Sequence, residues 1–109
     1  MNTNPWDLKD ELETLHKFRK ERNWEQYHRP KELATAISIE SAELQELFLW
    51  KESESAEQIK ENSEYLNKIS DEIADIMIYL LYLADDLEIN LSSVIKQKIS
   101  KNELKYRLC

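Results

Sequence analysis

Nothing constrains the fold of this chain more than the absence of glycine from all 109 residues. Glycine supplies left-handed backbone at turns, hairpins and phosphate-binding loops without steric cost. Its absence nearly excludes Gly-rich phosphate loops, Rossmann turns and tight β-hairpins. The only prolines are Pro5 and Pro30, and Glu, Leu, Lys and Ile dominate the rest. Such a mixture favours helix, so the expected class is all-α, in a single domain over residues 1–109. A domain of this size buries a modest core, and small domains often gain stability by oligomerising.

Charge and cysteine usage narrow the function. The net charge is −7, which argues against a nucleic-acid polymer as partner but not against a nucleotide held through a metal ion. The single Cys109 can form no intramolecular disulfide and offers no metal cluster, so a reducing cytoplasm is expected. "MNTNPWDLKDELE" has neither a basic nor an apolar leader region, and no signal peptide is expected. The apolar run 73–84 falls far short of the roughly 20 residues a membrane span needs, so no membrane partner is expected.

Apolar periodicity predicts four helices. The first runs from about Asp7 to Asn23, carrying Leu8, Leu12, Leu15 and Phe18 at 3–4 spacing. "NWEQYHRP" connects it to a second helix from about Lys31 to Lys51, with Leu33, Ala36, Ile37, Leu44, Leu47 and Phe48 on its stripe. Pro30 suits the first turn of that helix. A polar stretch, "KESESAEQIKENSE", leads into a long third helix that begins near Glu57 or Tyr65 and ends at Leu87. "EINLSS" breaks it, and Asn90 or Ser92 can cap a fourth helix reaching about Tyr106. The reading is a compact helix bundle.

Two pairs of acids stand out against this pattern. Glu40 lies on the apolar stripe of the second helix, and Glu43 follows it by about 4.5 Å along the axis on nearly the same face. The third helix repeats the arrangement with Glu72 and Asp75. Its positions 69, 73, 76, 80, 83 and 87 form an apolar seam, while 72, 75, 79, 82 and 86 read Glu, Asp, Tyr, Tyr, Asp. Carboxylates gathered on inward seams must be neutralised by cations or keep their protons. Basic residues near them are scarce, so a divalent metal is the economical solution. Oxygen-only ligands select a hard ion, Mg²⁺ with Mn²⁺ as a possible substitute. The alternative for any single E-x-x-E pair is a solvated helix face. Glu11, Glu13, Glu52, Glu54, Glu57, Glu61 and Glu64 are read that way, and Asp71, Asp85 and Asp86 as helix-end or surface charges.

The segments "ERNWEQYHRPKEL", "SIESAELQELFLWK" and "DEIADIMIYLLYLADDLEINLSSVIKQKISKNELKY" together resemble the MazG-like all-α NTP pyrophosphatase superfamily, most closely its dCTP pyrophosphatase branch. The resemblance runs from about Leu12 to Tyr106 and centres on E-x-x-E followed by E-x-x-D: Glu40, Glu43, Glu72 and Asp75. Many members have a further acid before the first motif. Here that position is Ile39, as in the dCTP-type branch. "NELKYRL" is less arginine-rich than similar proteins at the same place.

The resemblance implies a four-helix protomer assembled as a homodimer or a dimer of dimers (a homotetramer). It also implies hydrolysis of a nucleoside triphosphate between its α- and β-phosphates, with Mg²⁺ held by the four acids. Carried over by position, Lys98 and Asn102 contact the triphosphate, and His16, Trp24, Trp50 and Tyr79 enclose base and sugar. Read from the residues alone, Lys98 and Asn102 share a helix face as a solvated pair, and Trp24 and Trp50 are core or interface aromatics. His16 is then a packed histidine. Glu43 is the acid taken to activate the attacking water. The competing expectation is a non-catalytic helical oligomerisation or interaction module. A di-iron carboxylate bundle is disfavoured, because it needs two Glu-x-x-His pairs. Of the two matches, Glu13–His16 stands alone on a helix and Glu25–His28 lies in the connection.

Overall fold

The computed structural model describes residues 4–107 and is helical without strands among them. Cys109 lies outside the described residues. Five α-helices are present: α1 (Lys9–Glu21), α2 (Pro30–Glu46), α3 (Ala56–Glu61), α4 (Ser63–Asp86) and α5 (Leu91–Lys105). A single 3₁₀ turn, Glu25–Tyr27, sits between α1 and α2. No helix of the described residues is long and apolar enough to cross a membrane.

Four of these helices are the expected ones, and α3 is an addition with a local cause. Ser55 Oγ accepts the Gln58 backbone N–H at 3.2 Å, while the Gln58 side chain accepts the Ser55 N–H at 2.9 Å. This reciprocal capping box satisfies two donors and starts a separate helix in the polar stretch. Asn62, at φ −101° and ψ 92°, then breaks the chain and accepts the Tyr65 N–H to start α4. Helix α2 stops at Glu46 rather than Lys51. Its continuation tightens into i→i+3 bonds at Leu47, Phe48 and Leu49 and ends at Trp50 with φ 66°. Asn90, one of the two expected caps, accepts the Ser93 N–H and opens α5.

The missing glycine leaves a mark at the helix ends. Asn23, Trp50 and Glu88 take left-handed backbone with φ of 57°, 66° and 55°. After α1, the N–H of Trp24 bonds the Arg19 carbonyl and that of Asn23 bonds Lys20. After α4, Ile89 bonds Ala84 and Glu88 bonds Asp85 in the same way. Both are Schellman closures, which usually place glycine at the left-handed residue. A side chain there costs about 1–2 kcal/mol, least for asparagine.

Helix α4 is the hub against which α1, α2 and α3 pack. Leu33 of α2, with Tyr65, Ile69, Tyr82 and Ala84 of α4, make up the buried apolar set. The Tyr65 hydroxyl donates to the Leu47 carbonyl at 2.9 Å, and the Tyr82 hydroxyl to Leu15 at 2.7 Å. The apolar seam of α4 is less enclosed than its sequence suggests. Ile69 is buried, but Ile73 is 48% and Leu87 52% exposed. Helix α5 buries no residue and meets the other helices sparsely. The chain exposes 9328 Å², against about 6,400 Å² for a folded monomer of this length. Its radius of gyration is 16.9 Å, where a compact domain has about 13 Å.

Candidate metal centre and adjoining cavity

Helical spacing sets the acids face to face. Glu40 and Glu43 lie one turn apart on α2, and Glu72 projects from the α4 surface packed against it. One carboxylate oxygen from each of the three falls within 4.8 Å of the others. Glu40 Oε2 and Glu72 Oε2 are buried without a hydrogen-bond partner. Among the described residues, none of Glu40, Glu43, Glu72 or Asp75 forms an ion pair with a lysine or arginine.

This crowding changes their acidity. The adjoining Glu72 carboxyl raises the Glu40 pKa above the ordinary glutamate value, and burial and the Asp75 charge add to it. Hydrogen bonding to Glu40, then the charge of Glu40, raises Glu43. Proton sharing is how such a cluster persists without a cation, and a cation removes the need for it. A cluster of hard oxygens with two unpartnered atoms can hold a metal ion.

Asp75 stands apart from the three. It is exposed and lies one turn beyond Glu72, on the wall of a neighbouring cavity of about 370 Å³. Phe18, Trp24, His28, Tyr79 and Tyr82 make up most of the remaining wall, so the space is aromatic with a carboxylate at its edge. Its volume is that of a small-molecule site. Along α4, Glu72, Asp75, Tyr79 and Tyr82 follow one face, so acids and cavity are contiguous.

The residues expected to touch substrate are divided. Trp24 and Tyr79 line the cavity beside Asp75. His16 does not: its Nε2 lies 2.7 Å from Asp85 Oδ2, and its ring meets Tyr82 edge-on. Trp50 is 99% exposed at its left-handed position. Lys98 and Asn102 lie on α5, one exposed and the other half-buried, and neither belongs to the acid cluster or the cavity wall.

Asp85 and Asp86 stand exposed at the end of α4, as expected of helix-end charges, and both are paired. Arg19, 6% exposed, donates to Asp86 twice, Nη2 to Oδ1 at 2.8 Å and Nη1 to Oδ2 at 3.0 Å. Asp85 is paired with His16. The Arg19 guanidinium also lies 4.4 Å from the centre of the Tyr82 ring. It thus clamps α1 to the end of α4, directly behind the cavity. His28, Phe18 and Tyr82 were not singled out from sequence as substrate contacts. Tyr82 could have been found, since it continues the series 72, 75, 79. Phe18 was read only as an apolar stripe residue. His28 lies in an irregular connection where no periodicity places a side chain.

The model of the MazG-like family matches residues 35–108. The chain is 34% identical over 98 residues to dCTP pyrophosphatase 1 of Bos taurus, and 32% identical over 98 residues to that of Homo sapiens. Each match covers 89% of this chain and 58% of the relative, so the chain spans little over half the length of these proteins. A crystal structure of a pyrophosphatase from Archaeoglobus fulgidus DSM 4304 superposes with a TM-score of 0.82 at 42% identity, covering 99% of both chains.

Proposed function

The chain belongs to the MazG-like family, and we propose that it is a metal-dependent nucleoside triphosphate pyrophosphatase acting on dCTP or a modified dCTP. One observation carries this reading. Three carboxylates converge within 4.8 Å, two of them with unpartnered buried oxygens, at the side of an aromatic cavity. A triphosphate cannot approach such a cluster unless positive charge lies between them.

Glu40, Glu43 and Glu72 would hold Mg²⁺, or Mn²⁺ in its place, with Asp75 completing the set from the cavity side. Bound there, the ion supplies the charge that neutralises the phosphate oxygens and the charge developing as the bond breaks. Trp24 and Tyr79 hold base and sugar, which places the triphosphate toward the acids. Glu43, the exposed member of the cluster, accepts the proton of a water directed at the α-phosphorus. The new bond joins that water oxygen to the α-phosphorus. The bond to the bridging oxygen of the β-phosphate breaks, and pyrophosphate leaves a nucleoside monophosphate behind. Close packing of Tyr79 against the sugar favours a deoxyribose over a ribose.

The test is pyrophosphate release from a panel of ribo- and deoxynucleoside triphosphates, with Mg²⁺ and with EDTA. Release from dCTP exceeding that from the other bases, and lost in EDTA, is expected. Turnover that survives EDTA overturns the metal-dependent reading. In the same buffers, Mg²⁺ with dCTP raises the melting temperature, as any ligand of the native state must. A non-catalytic helical module shows no Mg²⁺-dependent rise.

The surface argues for self-association as a dimer or dimer of dimers. About 2,900 Å² more is exposed than a monomer of this length retains, which is the scale of an obligate interface. Ile73, Met77 and Leu80 on α4, with Val94, Ile95, Ile99 and Leu104 on α5, are among the apolar residues left uncovered. Burying α5 in an assembly is also the route by which Lys98 and Asn102 reach a triphosphate. Light scattering should return at least twice the chain mass, and a monomer at micromolar concentration contradicts this assembly.

A further inference from the structure

The clustered acids stand on two different helices, so their spacing depends on how α2 and α4 lie against each other along their lengths. A metal site needs its ligand atoms held to within about 0.5 Å. Sliding one helix by a single residue displaces its side chains by about 1.5 Å. Apolar burial is non-directional, whereas a hydrogen bond fixes both a distance and an angle. A directional bond between α2 and α4 is therefore worth more to the cluster than an equal amount of buried surface.

Tyr65 makes such a bond. Near the start of α4 and 6% exposed, it donates its hydroxyl to the Leu47 carbonyl at 2.9 Å, just past the end of α2. Carbonyls at the end of a helix find no partner within it, and this bond supplies one. The Tyr65 side chain is itself held. Phe48 meets its ring edge-on at 5.8 Å between centres, and Lys51 Nζ stands 3.7 Å from the ring centre. Its backbone N–H bonds Asn62 Oδ1 at 3.1 Å.

The acids follow from this bond at equal distances. Glu72 lies seven residues after Tyr65 on α4, and Glu40 seven residues before Leu47 on α2. Seven helical residues span about 10.5 Å and return to the same face within about 20°. The two helices run antiparallel here, so the steps on each carry Glu40 and Glu72 to the same level. A further seven residues before Glu40 stands Leu33, 1% exposed. The cluster thus lies between a buried leucine, which gives cohesion, and a hydrogen-bonded tyrosine, which gives register.

Resting on the metal-centre reading above, we infer that Tyr65 is a positioning residue for that centre. Its hydroxyl locks the register of α2 against α4 and so holds Glu40 and Glu43 opposite Glu72. It touches neither metal nor substrate and acts through the carboxylates two turns away.

The test is Mn²⁺ binding by the full chain without nucleotide, read from the electron paramagnetic resonance signal of the free ion. Tyr65→Phe removes the hydroxyl and keeps the ring with its Phe48 and Lys51 contacts, so the helices still form, as circular dichroism checks. The Mn²⁺ dissociation constant should rise roughly 10-fold in Tyr65→Phe, the scale of losing a support behind metal ligands. Two further variants separate register from general stability. Arg19→Met lowers the melting temperature without touching the α2–α4 bond, so its Mn²⁺ affinity should stay within about twofold of wild type. Lys51→Met strips the charge from the Tyr65 ring, leaves the hydroxyl in place and should also retain affinity. Tyr65→Phe within about twofold of wild type overturns the proposal and leaves Tyr65 a packing residue. A loss in Arg19→Met or Lys51→Met equal to that in Tyr65→Phe overturns it too, since loosening anywhere would then suffice. Wild-type chain that binds no Mn²⁺ refutes the metal centre, and the role of Tyr65 falls with it. Wild-type chain that binds Mn²⁺, loses affinity in Tyr65→Phe and releases no pyrophosphate from dCTP refutes the pyrophosphatase reading alone and supports Tyr65 as the positioning residue.

Discussion

Glu72→Gln lowers pyrophosphate release by roughly 100- to 1,000-fold, the scale of losing one preorganised charge-stabilising group, while leaving helicity unchanged. Glutamine fills the same space, so the packing of α4 on α2 is retained and the loss falls on the cluster's charge. The same substitution has the opposite sign for stability without metal. Glu40, Glu43 and Glu72 repel one another across less than 4.8 Å, and removing one charge relieves that repulsion. In EDTA, Glu72→Gln should therefore melt above wild type, and with Mg²⁺ the order should reverse. An accompanying pH effect follows from Glu40 and Glu43, whose folded pKa values are both raised. A raised carboxyl binds its proton more tightly in the folded chain. Metal-free wild type should thus gain stability as pH falls through the raised values toward the ordinary glutamate value, with no further gain below it. Melting curves in EDTA from pH 8 to pH 4 test this. A Glu72→Gln protein that keeps more than about a tenth of wild-type turnover removes Glu72 from the metal site.

Arg19→Met is the substitution with the largest expected cost to folding. Removing one partner of a buried ion pair costs about 3 kcal/mol or more, and the lower end applies because the Asp86 side chain is 27% exposed. At about 4–8 °C per kcal/mol for a domain of this size, the melting temperature should drop by roughly 10–20 °C. Methionine keeps most of the contact with Tyr82, so the loss reports the stranded Asp86 carboxylate rather than a cavity. Arg19→Met combined with Asp86→Leu should recover most of the loss, since an apolar pair of similar volume avoids the desolvation of both charges. The Arg19 hydrogen bonds hold Asp86 below the usual aspartate range. Its contribution is present above the ordinary aspartate pKa and disappears as pH falls through the lowered value. A single substitution within about 1 kcal/mol of wild type would show that the clamp is not needed.

How much of this was legible in the sequence differs by element. The helices α1, α2, α4 and α5 follow from apolar spacing and caps, because these are local properties of consecutive residues. The approach of Glu40, Glu43 and Glu72 was legible for the same reason, since helical spacing sets them on the facing sides of two helices. Helix α3 was not separated from α4, because its start depends on one reciprocal hydrogen-bond pair at Ser55 and Gln58. The extent of burial along α4 was overestimated. A periodic pattern shows which side chains avoid water, but not whether their cover belongs to the same chain. Asp86 was placed on the correct face and at a helix end, but its pairing was not legible, because its partner Arg19 lies 67 residues away. His28 was missed because its position is set by a 3₁₀ turn and the following proline, with no repeating pattern to reveal it.

Helix α4 has a further consequence as a ruler. Glu72, Asp75, Tyr79, Tyr82 and Asp86 mark one edge of an unbroken rod, about 21 Å from first to last. The marks correspond in turn to the acid cluster, the cavity's rim and wall, and the anchor to α1. Each residue inserted or deleted between them turns everything beyond by about 100°, so no single-residue length change keeps all five on one edge. Point substitutions can alter what each mark does, while its reading frame along the helix stays fixed. Natural variation in chain length should therefore collect outside residues 72–86, in the polar stretch before α4 and the bend after it.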